Sequence, residues 1–257
     1  MFTNKIRIFN NIDAWISFRQ TKMNNTTLGL VPTMGALHNG HLKLIEKSIS
    51  ENNKTIVSIF VNPTQFNDSN DLKRYPKNFD DDLNKLSKIG VDYVLHPQYE
   101  ELYNDDYRYN VFENKFSKEL CGKSRDGHFN GVLTVVLKLL NIANADNAYF
   151  GEKDYQQYLL IKEMVEAFFI KTKIIPCPTI REIDGLAMSS RNLLLTKKER
   201  KIAPIFKKLL DSKMSTEQIK DLLKIEGFDV DYIEKRNDRI FGAVKLGNVR
   251  LIDNVKI

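Results

Sequence analysis

Cysteine, tryptophan and histidine are scarce in this chain of 257 residues, which holds two, one and four of them. Cys121 and Cys177 belong to no C-x-x-C pair and to no histidine cluster, which argues against a structural zinc site or a disulfide framework and predicts buried thiols. No apolar run approaches the roughly 18 residues that cross a membrane, and the N-terminus lacks the apolar core of a signal peptide. We therefore expect a cytoplasmic protein with no membrane partner.

An excess of charge is found only at the C-terminal end. Residues 1–179 carry 22 basic and 21 acidic side chains, whereas residues 180–257 carry 17 and 12, so the net charge of +6 arises mainly there. Such a segment suits nucleic acid, a membrane surface or a phosphate-rich small molecule, and it is equally typical of a solvated lysine-rich face. Because no aromatic–basic stacking motif accompanies it, we expect no nucleic-acid partner.

Strand and helix patterns alternate along the first two thirds of the chain. Helices are predicted at 39–52, 78–90, 131–144 and 154–169, and strands at 26–34, 54–61, 91–97, 147–150 and 171–178. This alternation predicts an α/β fold with a doubly wound parallel sheet, in a Rossmann-like nucleotide-binding domain over residues 1–178. In such a sheet the ligand lies beyond the carboxyl ends of the strands.

The remaining residues, 179–257, have a different pattern. Basic helices are predicted at 196–210 and 215–227, and the segments after them alternate like short antiparallel strands. We assign this part to a small α+β C-terminal domain that acts as a lid.

The motif PTMGALHNGH (32–41) follows a predicted buried strand. His38 and His41 stand three apart on the first turn of the next helix, so they share one face. A helix N-terminus offers free N–H groups and the positive end of the helix dipole, which suit a phosphate group. A histidine there can also stabilise the charge that grows as a phosphorus–oxygen bond breaks. Two surface histidines on an ordinary helix are the less favoured alternative.

Two further motifs stand at predicted strand ends. FVNPTQF (60–66) supplies the amides of Asn62 and Gln65 for a small polar ligand, although Asn-Pro also marks plain turns. FGEKDYQQ (150–157) supplies Lys153 for phosphate and Asp154 for a helix N-cap or a ribose hydroxyl. Its two glutamines, Gln156 and Gln157, are expected to face the same cleft.

A fourth motif, GLAMSSRN (185–192), follows the predicted domain boundary, where its serines and Arg191 form a candidate phosphate clamp. The chain nevertheless contains neither a G-x-x-x-x-G-K-[ST] loop nor a G-x-G-x-x-G fingerprint. Phosphate-binding loops without these signatures point to nucleotidyl transfer, in which the α-phosphate is attacked and pyrophosphate leaves. That chemistry requires positioning and charge stabilisation and no protein nucleophile.

Four motifs in order resemble the pantoate–β-alanine ligase family, the pantothenate synthetases, over residues 27 to 196. They are PTMGALHNGH, SIFVNPTQF with DLKRYP behind it, HFNGVLTVVLKLLNI leading to FGEKDYQQ, and PTIREIDGLAMSSRN. The family belongs to the nucleotidyltransferases with a HIGH-type signature. The resemblance implies that pantoate attacks the α-phosphorus of Mg-ATP, and that β-alanine then converts the bound pantoyl adenylate into pantothenate and AMP.

The resemblance also implies which residues act. It assigns ATP binding to Met34, Gly35, Ala36, Leu37, His38, Asn39, Gly40, His41, Gly151, Glu152, Lys153, Asp154, Ile180 (through its backbone, to adenine), Met188, Ser189, Ser190 and Arg191. Pantoate falls to Gln65 and Gln157, with Gln65 also facing β-alanine. The catalytic residues implied are His38, His41, Lys153 and Arg191. His41 matches the family's proton donor, a role that charge stabilisation by a histidine would equally explain.

The resemblance further implies a homodimer formed through the first domain. Mg²⁺ comes with ATP, and no residue is assigned as its ligand. Asn130 stands where the family commonly has arginine, and the region after residue 196 is short and matches loosely.

Two alternatives are a nucleotidyltransferase with another acceptor and a nucleic-acid-binding module. For the acidic run Asp80, Asp81 and Asp82, we favour a solvated helix start over the alternative of a contact with Mg²⁺.

Overall fold

A parallel sheet of six strands forms the centre of the first part of the chain in the computed structural model, which describes residues 6–257. Residues 1–5 of the first predicted domain lie outside this range. In the order β1-β4-β3-β2-β5-β6, the strands are β1 (Arg7–Phe9), β2 (Leu28–Thr33), β3 (Lys54–Ile59), β4 (Tyr93–Leu95), β5 (Asn147–Gly151) and β6 (Lys173–Cys177). The order reverses between β2 and β5, which pair only at Gly29–Asn147 and Leu30–Ala148. The carboxyl ends of β2 and β5 are therefore free to border a crevice.

Helices cover both faces of this sheet: α1 (Ile12–Lys22), α2 (Asn39–Glu51), α3 (Ser69–Arg74), α4 (Phe79–Ile89), α5 (Tyr99–Leu102), α6 (His128–Ala143) and α7 (Tyr155–Ala167). Predicted and observed bounds of α2, α4, α6 and α7 agree within three residues. Gly90 ends α4 in the left-handed conformation at φ 84°, as its predicted role as a C-terminal cap requires. Helix α1 was not predicted, because Trp15 is its one buried residue and its apolar periodicity is weak.

The sheet separates two apolar clusters. Successive residues of a strand point to opposite faces, and Leu30 and Ile56 pack in one cluster while Val31 and Val57 pack in the other. Strands that are apolar on both faces are typical of a parallel sheet, so the predicted doubly wound fold is confirmed. Cys121 and Cys177 are both buried and free, as predicted.

The second part of the chain contains α8 (Lys197–Ile202), α9 (Pro204–Leu210), α10 (Thr216–Ile225) and an antiparallel sheet of β7 (Asp229–Arg236), β8 (Arg239–Leu246) and β9 (Val249–Lys256). These elements enclose an apolar cluster that includes Phe206 and Leu223. The single helix predicted at 196–210 is wrong, because Pro204 begins a new helix. The division after residue 178 and the motion of a lid stay predictions. Among residues 6–257, no helix has the length and apolar character needed to span a membrane.

Candidate active site

A cleft of about 1150 Å³ opens at the carboxyl ends of β2, β3 and β5 and is bordered on its other side by residues 178–192 and by β9. Most of the predicted site residues line it: Met34, His38, Gly40, His41, Gln65, Gly151, Lys153, Asp154, Gln157, Ile180, Met188, Ser189, Ser190 and Arg191. The other predicted residues stand in the same loops without lining it, namely Gly35, Ala36, Leu37, Asn39 and Glu152. Motifs that are far apart in the sequence thus meet at one cleft.

His38 and His41 cap the helix that follows them. His38 is the N-cap of α2, and its Nδ1 accepts the N–H of Gly40 at 3.1 Å. The backbone N–H of His38 donates to Nδ1 of His41 at 3.3 Å. Because each Nδ1 is an acceptor, the proton of each neutral ring lies on Nε2. The ring centroids are 4.0 Å apart, so two N–H donors that the cap does not use stand together at the cleft.

Burial and neighbouring positive charge keep both imidazoles neutral. The main cause that lowers the pKa of His38, to about 4, is desolvation, and the positive charge of Lys153 is the second cause. The main cause that lowers the pKa of His41, to about 3, is desolvation. Repulsion by a protonated His38 and by Lys153 contributes less. At neutral pH each ring is therefore a neutral hydrogen-bond donor. This state suits charge stabilisation, whereas proton donation by His41 would require a bound anion to raise its pKa first.

The loop before α2 is held by the carboxylate of Asp82, a residue that was expected to be exposed to solvent. Asp82, in the first turn of α4, is 1% exposed and accepts the backbone N–H groups of Ala36 at 2.8 Å and Leu37 at 2.7 Å. Burial raises the pKa of Asp82, and these two hydrogen bonds oppose the rise. The expectation of a solvated acidic run is wrong for Asp82, because this position of α4 faces the loop. Nothing in the sequence distinguishes it from Asp80 and Asp81.

The side chain of Gln65 is oriented by two neighbours. It ends the short 3-10 helix Pro63–Gln65, its Oε1 accepts from Nδ2 of Asn62 at 3.1 Å, and its Nε2 lies 3.2 Å from Sδ of Met34. Asn62 is buried, and its Oδ1 also accepts from the hydroxyl of Tyr103 at 2.9 Å. Asn62, expected to bind a ligand, therefore uses its amide to fix Gln65.

A buried histidine and an arginine hold the backbone of Gln65. Nδ1 of His128 donates to the Gln65 carbonyl at 2.8 Å, and Nη1 of Arg125 donates to Nε2 of His128 at 2.9 Å. A carbonyl can only accept and a guanidinium can only donate, which determines the tautomer of the ring. The main cause that lowers the pKa of His128, to about 3, is desolvation, and the positive charge of Arg125 is the second cause. Neither side chain was predicted to have a role, because a single buried histidine has no diagnostic spacing.

The turn after β5 brings Lys153 to the cleft. Its Nζ lies 3.6 Å from the carboxylate of Asp154. Asp154 occupies the N-cap position of α7, as expected, but its carboxylate accepts no helix N–H. The Asp154 carboxylate can therefore accept a hydrogen bond from a sugar hydroxyl or pair with the ammonium group of Lys153.

Of the two glutamines that begin α7, one lines the cleft. Gln157 does so, whereas Gln156 accepts the N–H of Cys121 at 3.1 Å and donates to the carbonyl of Phe116 at 2.7 Å. The expectation that both face the cleft is wrong for Gln156. Consecutive residues of an α-helix point about 100° apart, so the two amides diverge.

The loop that carries Arg191 is tied to the first part of the chain. Nη2 of Arg191 donates to the carboxylate of Asp71 in α3 at 2.8 Å, and the Ser189 hydroxyl accepts the backbone N–H of Arg191 at 3.3 Å. Cβ of Met188 lies 3.8 Å from the position that a Cβ on Gly40 would occupy. This loop therefore packs over the start of α2. Asp71 lies in the DLKRYP segment, and its contact with Arg191 was not predicted.

A family model described as pantoate–β-alanine ligase matches residues 6–256 of the chain. The chain belongs to the pantoate–β-alanine ligase family. The resemblance drawn from the four motifs is thereby confirmed. The pantothenate synthetases of Bdellovibrio bacteriovorus and Legionella pneumophila (strain Corby) are 50% and 49% identical to it, over 99% and 97% of this chain and 100% and 99% of their own.

Solved structures of pantoate–β-alanine ligases share the whole fold. The Francisella tularensis enzyme, crystallised with "Beta-gamma ATP" and β-alanine, has a TM-score of 0.94 and 46% identity and covers 98% of this chain and 97% of its own. Pantothenate synthetase of Thermus thermophilus has a TM-score of 0.90 and 33% identity, covering 98% and 99%. The small C-terminal sheet is part of this shared fold, so the predicted α+β second part is confirmed.

As a pantoate–β-alanine ligase, the protein condenses pantoate with β-alanine at the expense of ATP, through a pantoyl adenylate, and releases AMP and pyrophosphate. The reaction expected from the sequence is confirmed. Residues 6–257 contain no cluster of three or more histidine, cysteine, aspartate or glutamate side chains that could bind a metal ion.

Proposed function

We propose that the cleft carries both half-reactions of this ligase, with pantoate between Gln65 and Gln157 and the phosphates of ATP beside His38, His41 and Lys153. The observation that supports this most directly is the pair of neutral imidazoles, which use Nδ1 to cap α2 and keep Nε2–H for a ligand. The amide of Gln65 is fixed in the same cleft, as an uncharged partner for the hydroxyl and carboxylate groups of a small hydroxy acid.

In the first half-reaction, a carboxylate oxygen of pantoate bonds to the α-phosphorus while the bond to the leaving pyrophosphate oxygen breaks. A carboxylate is ionised at neutral pH, so this step needs no general base. Negative charge grows on the α-phosphoryl oxygens and on the pyrophosphate. The N–H donors of His38 and His41 and the ammonium of Lys153 stabilise that charge more than they stabilise bound ATP.

In the second half-reaction, the free amine of β-alanine attacks the acyl carbon of the adenylate. The carbon–oxygen bond to AMP then breaks, AMP leaves as a phosphate anion, and the proton that the nitrogen loses as the amide forms passes to solvent. Water would hydrolyse the adenylate in an open site. Residues 178–192 and β9, which border the cleft opposite the large sheet, are the elements that would exclude it.

The remaining parts of the proposal concern the nucleotide and the assembly. The Ile180 carbonyl accepts the N–H of Met188 at 3.0 Å, so the backbone N–H of Ile180 is the group that we assign to adenine. ATP enters as its magnesium complex. Arg191 then breaks its ion pair with Asp71 and binds the triphosphate. The family resemblance supports a homodimer, and we assign the protein to the cytoplasm.

The deciding experiment measures AMP release by the purified protein with Mg-ATP and pantoate, with and without β-alanine. We expect AMP and pantothenate only when both acids are present, and pantoate-dependent exchange of pyrophosphate into ATP without β-alanine. An enzyme that makes no pantothenate and shows no such exchange would contradict the proposal. Light scattering of the same sample tests the dimer.

A further inference from the structure

The last strand of the chain carries two consecutive buried polar residues, Asp253 and Asn254. Each is 4% exposed, although β9 lies at one edge of its sheet. Buried polar groups are costly unless they are hydrogen-bonded, so their partners show what they do. Successive side chains of a strand point in opposite directions, and these two reach different loops of the cleft.

Asn254 holds the turn that bears Lys153. Its Nδ2 donates to the backbone carbonyls of Glu152 at 2.8 Å and Lys153 at 3.0 Å. Its Oδ1 accepts from Nη1 of Arg239 at 2.6 Å, and Nη2 of the same guanidinium donates to the Glu152 carboxylate at 3.0 Å. The amide NH₂ group of Asn254 thus bonds directly to the turn that bears Lys153, and its oxygen bonds to an arginine that is paired with the same turn.

Asp253 holds the stem of the loop that bears Arg191. Its Oδ2 accepts from Nη1 of Arg181 at 2.6 Å, and its Oδ1 accepts from Nη2 at 3.0 Å. Oδ1 also accepts the backbone N–H of Asn254 at 2.8 Å, which fixes the Asp253 carboxylate against the backbone of β9. Arg181 forms an antiparallel bridge with Ala187, directly before residues 188–191. A two-point ion pair of this kind is the geometrically specific form of arginine–carboxylate contact.

We propose that Asp253 and Asn254 are positioning residues for ATP, which keep the Lys153 turn and the Arg191 loop in register with each other. Both loops are fastened to adjacent residues of one strand, so the distance between their phosphate-binding groups depends on β9. The inference rests on the proposed roles of Lys153 and Arg191. It assigns the C-terminal sheet a part in building the nucleotide site.

The test compares Asn254→Ala with Arg236→Ala. Arg236 forms ion pairs with Glu119 and Glu234 and so also links the C-terminal sheet to the first part of the chain, through contacts that include neither the Lys153 turn nor the Arg191 loop. Steady-state pyrophosphate exchange gives kcat and KM, and calorimetry with a non-hydrolysable ATP analogue gives affinity without turnover. We expect Asn254→Ala to lower kcat/KM for ATP by about 10- to 100-fold, since small misplacements of catalytic groups have effects of that size. KM for pantoate and the kinetics of Arg236→Ala should stay near wild type.

A double mutant shows whether Asn254 acts through Lys153. In a Lys153→Ala background, Asn254→Ala should add little further loss, because the group that it positions is gone. Fully additive losses, or equal loss of ATP affinity in Arg236→Ala, would overturn the inference in favour of simple docking of the two parts.

Two further measurements keep the test decisive. If Asn254→Ala does not fold, Arg239→Met removes the donor to the Asn254 oxygen and should give a smaller defect that is likewise specific for ATP. An unchanged affinity for the analogue in Arg239→Met would then count against the inference. Affinity is measured without pantoate, so it still tests Asn254 if pantoate-dependent exchange is absent and the proposed function fails.

Discussion

Replacing Asp82 by asparagine tests whether the carboxylate beneath the histidine loop positions His38 and His41. Asparagine keeps one acceptor oxygen, so one of the N–H groups of Ala36 and Leu37 loses its partner and meets an NH₂ group. A hydrogen bond to a charged group contributes about 1.5–3 kcal/mol, and a buried unsatisfied group costs about 1–3 kcal/mol. We expect the free energy of unfolding to fall by about 2–4 kcal/mol, which a domain of ordinary stability, about 5–15 kcal/mol, survives.

The rate of adenylation should also fall, although the variant stays folded. Ala36 has a φ of 49°, a conformation that a non-glycine residue keeps only when its surroundings hold it there. A shift of about 1 Å in this loop would displace both imidazoles and slow the pantoate-dependent exchange by about 10²-fold. Urea unfolding and pyrophosphate exchange measure the two effects separately.

Asp80→Asn is the matched control, because Asp80 shares the first turn of α4 and is exposed. If Asp80→Asn is as damaging as Asp82→Asn, the helix dipole and not the loop explains the loss. Wild-type exchange and stability in Asp82→Asn would refute the reasoning altogether.

Three other substitutions test the site. His38→Asn should keep the helix cap but lose the ring N–H, giving a near-wild-type urea midpoint and an exchange rate about 10²-fold lower; fast exchange would contradict the donor role. Gln65→Ala should raise KM for pantoate about 3- to 10-fold and leave KM for ATP unchanged, and an unaltered pantoate KM would exclude its role. His128 has a pKa of about 3 in the folded protein, below the 6.5 of a free imidazole, so the unfolded chain takes up this proton first and stability is lost as pH falls below 6.5. Between pH 7.5 and 5, wild type should lose about 2 kcal/mol more than His128→Gln in urea titrations, and parallel losses would show that His128 does not carry the effect.

The parallel sheet was predictable because its central strands are apolar on both faces. Leu30 and Val31 pack on opposite sides of β2, so the strand appears in the sequence as a continuous apolar run. The three-residue strand β1 and the helix α1 have no comparable signal. The break before Pro204 was missed because the apolar spacing continues across it.

The loops of the cleft were predictable for a related reason. In a parallel sheet the carboxyl ends of the strands meet at one edge, so polar motifs directly after β2, β3 and β5 had to lie close together. The residues that support these loops could not be found in this way. Asp82, His128 and Asn254 all bond to backbone atoms of distant segments, and a backbone partner leaves no mark in the sequence.

The spacing of H-x-G-H follows from the start of the helix. A capping box needs side-chain acceptors at the N-cap and at N3, which are the positions of His38 and His41. A Cβ on Gly40 would lie 2.8 Å from Cε1 of His38, so the ring can fold over the helix end only above glycine. A serine or glutamate would cap equally well but would retain no N–H. Imidazole accepts at Nδ1 and donates at Nε2, and it therefore caps the helix while aiming a neutral donor where the helix dipole already favours phosphate. The requirements of the helix start and of phosphate chemistry select the same residues, and a chain with four histidines places two of them here.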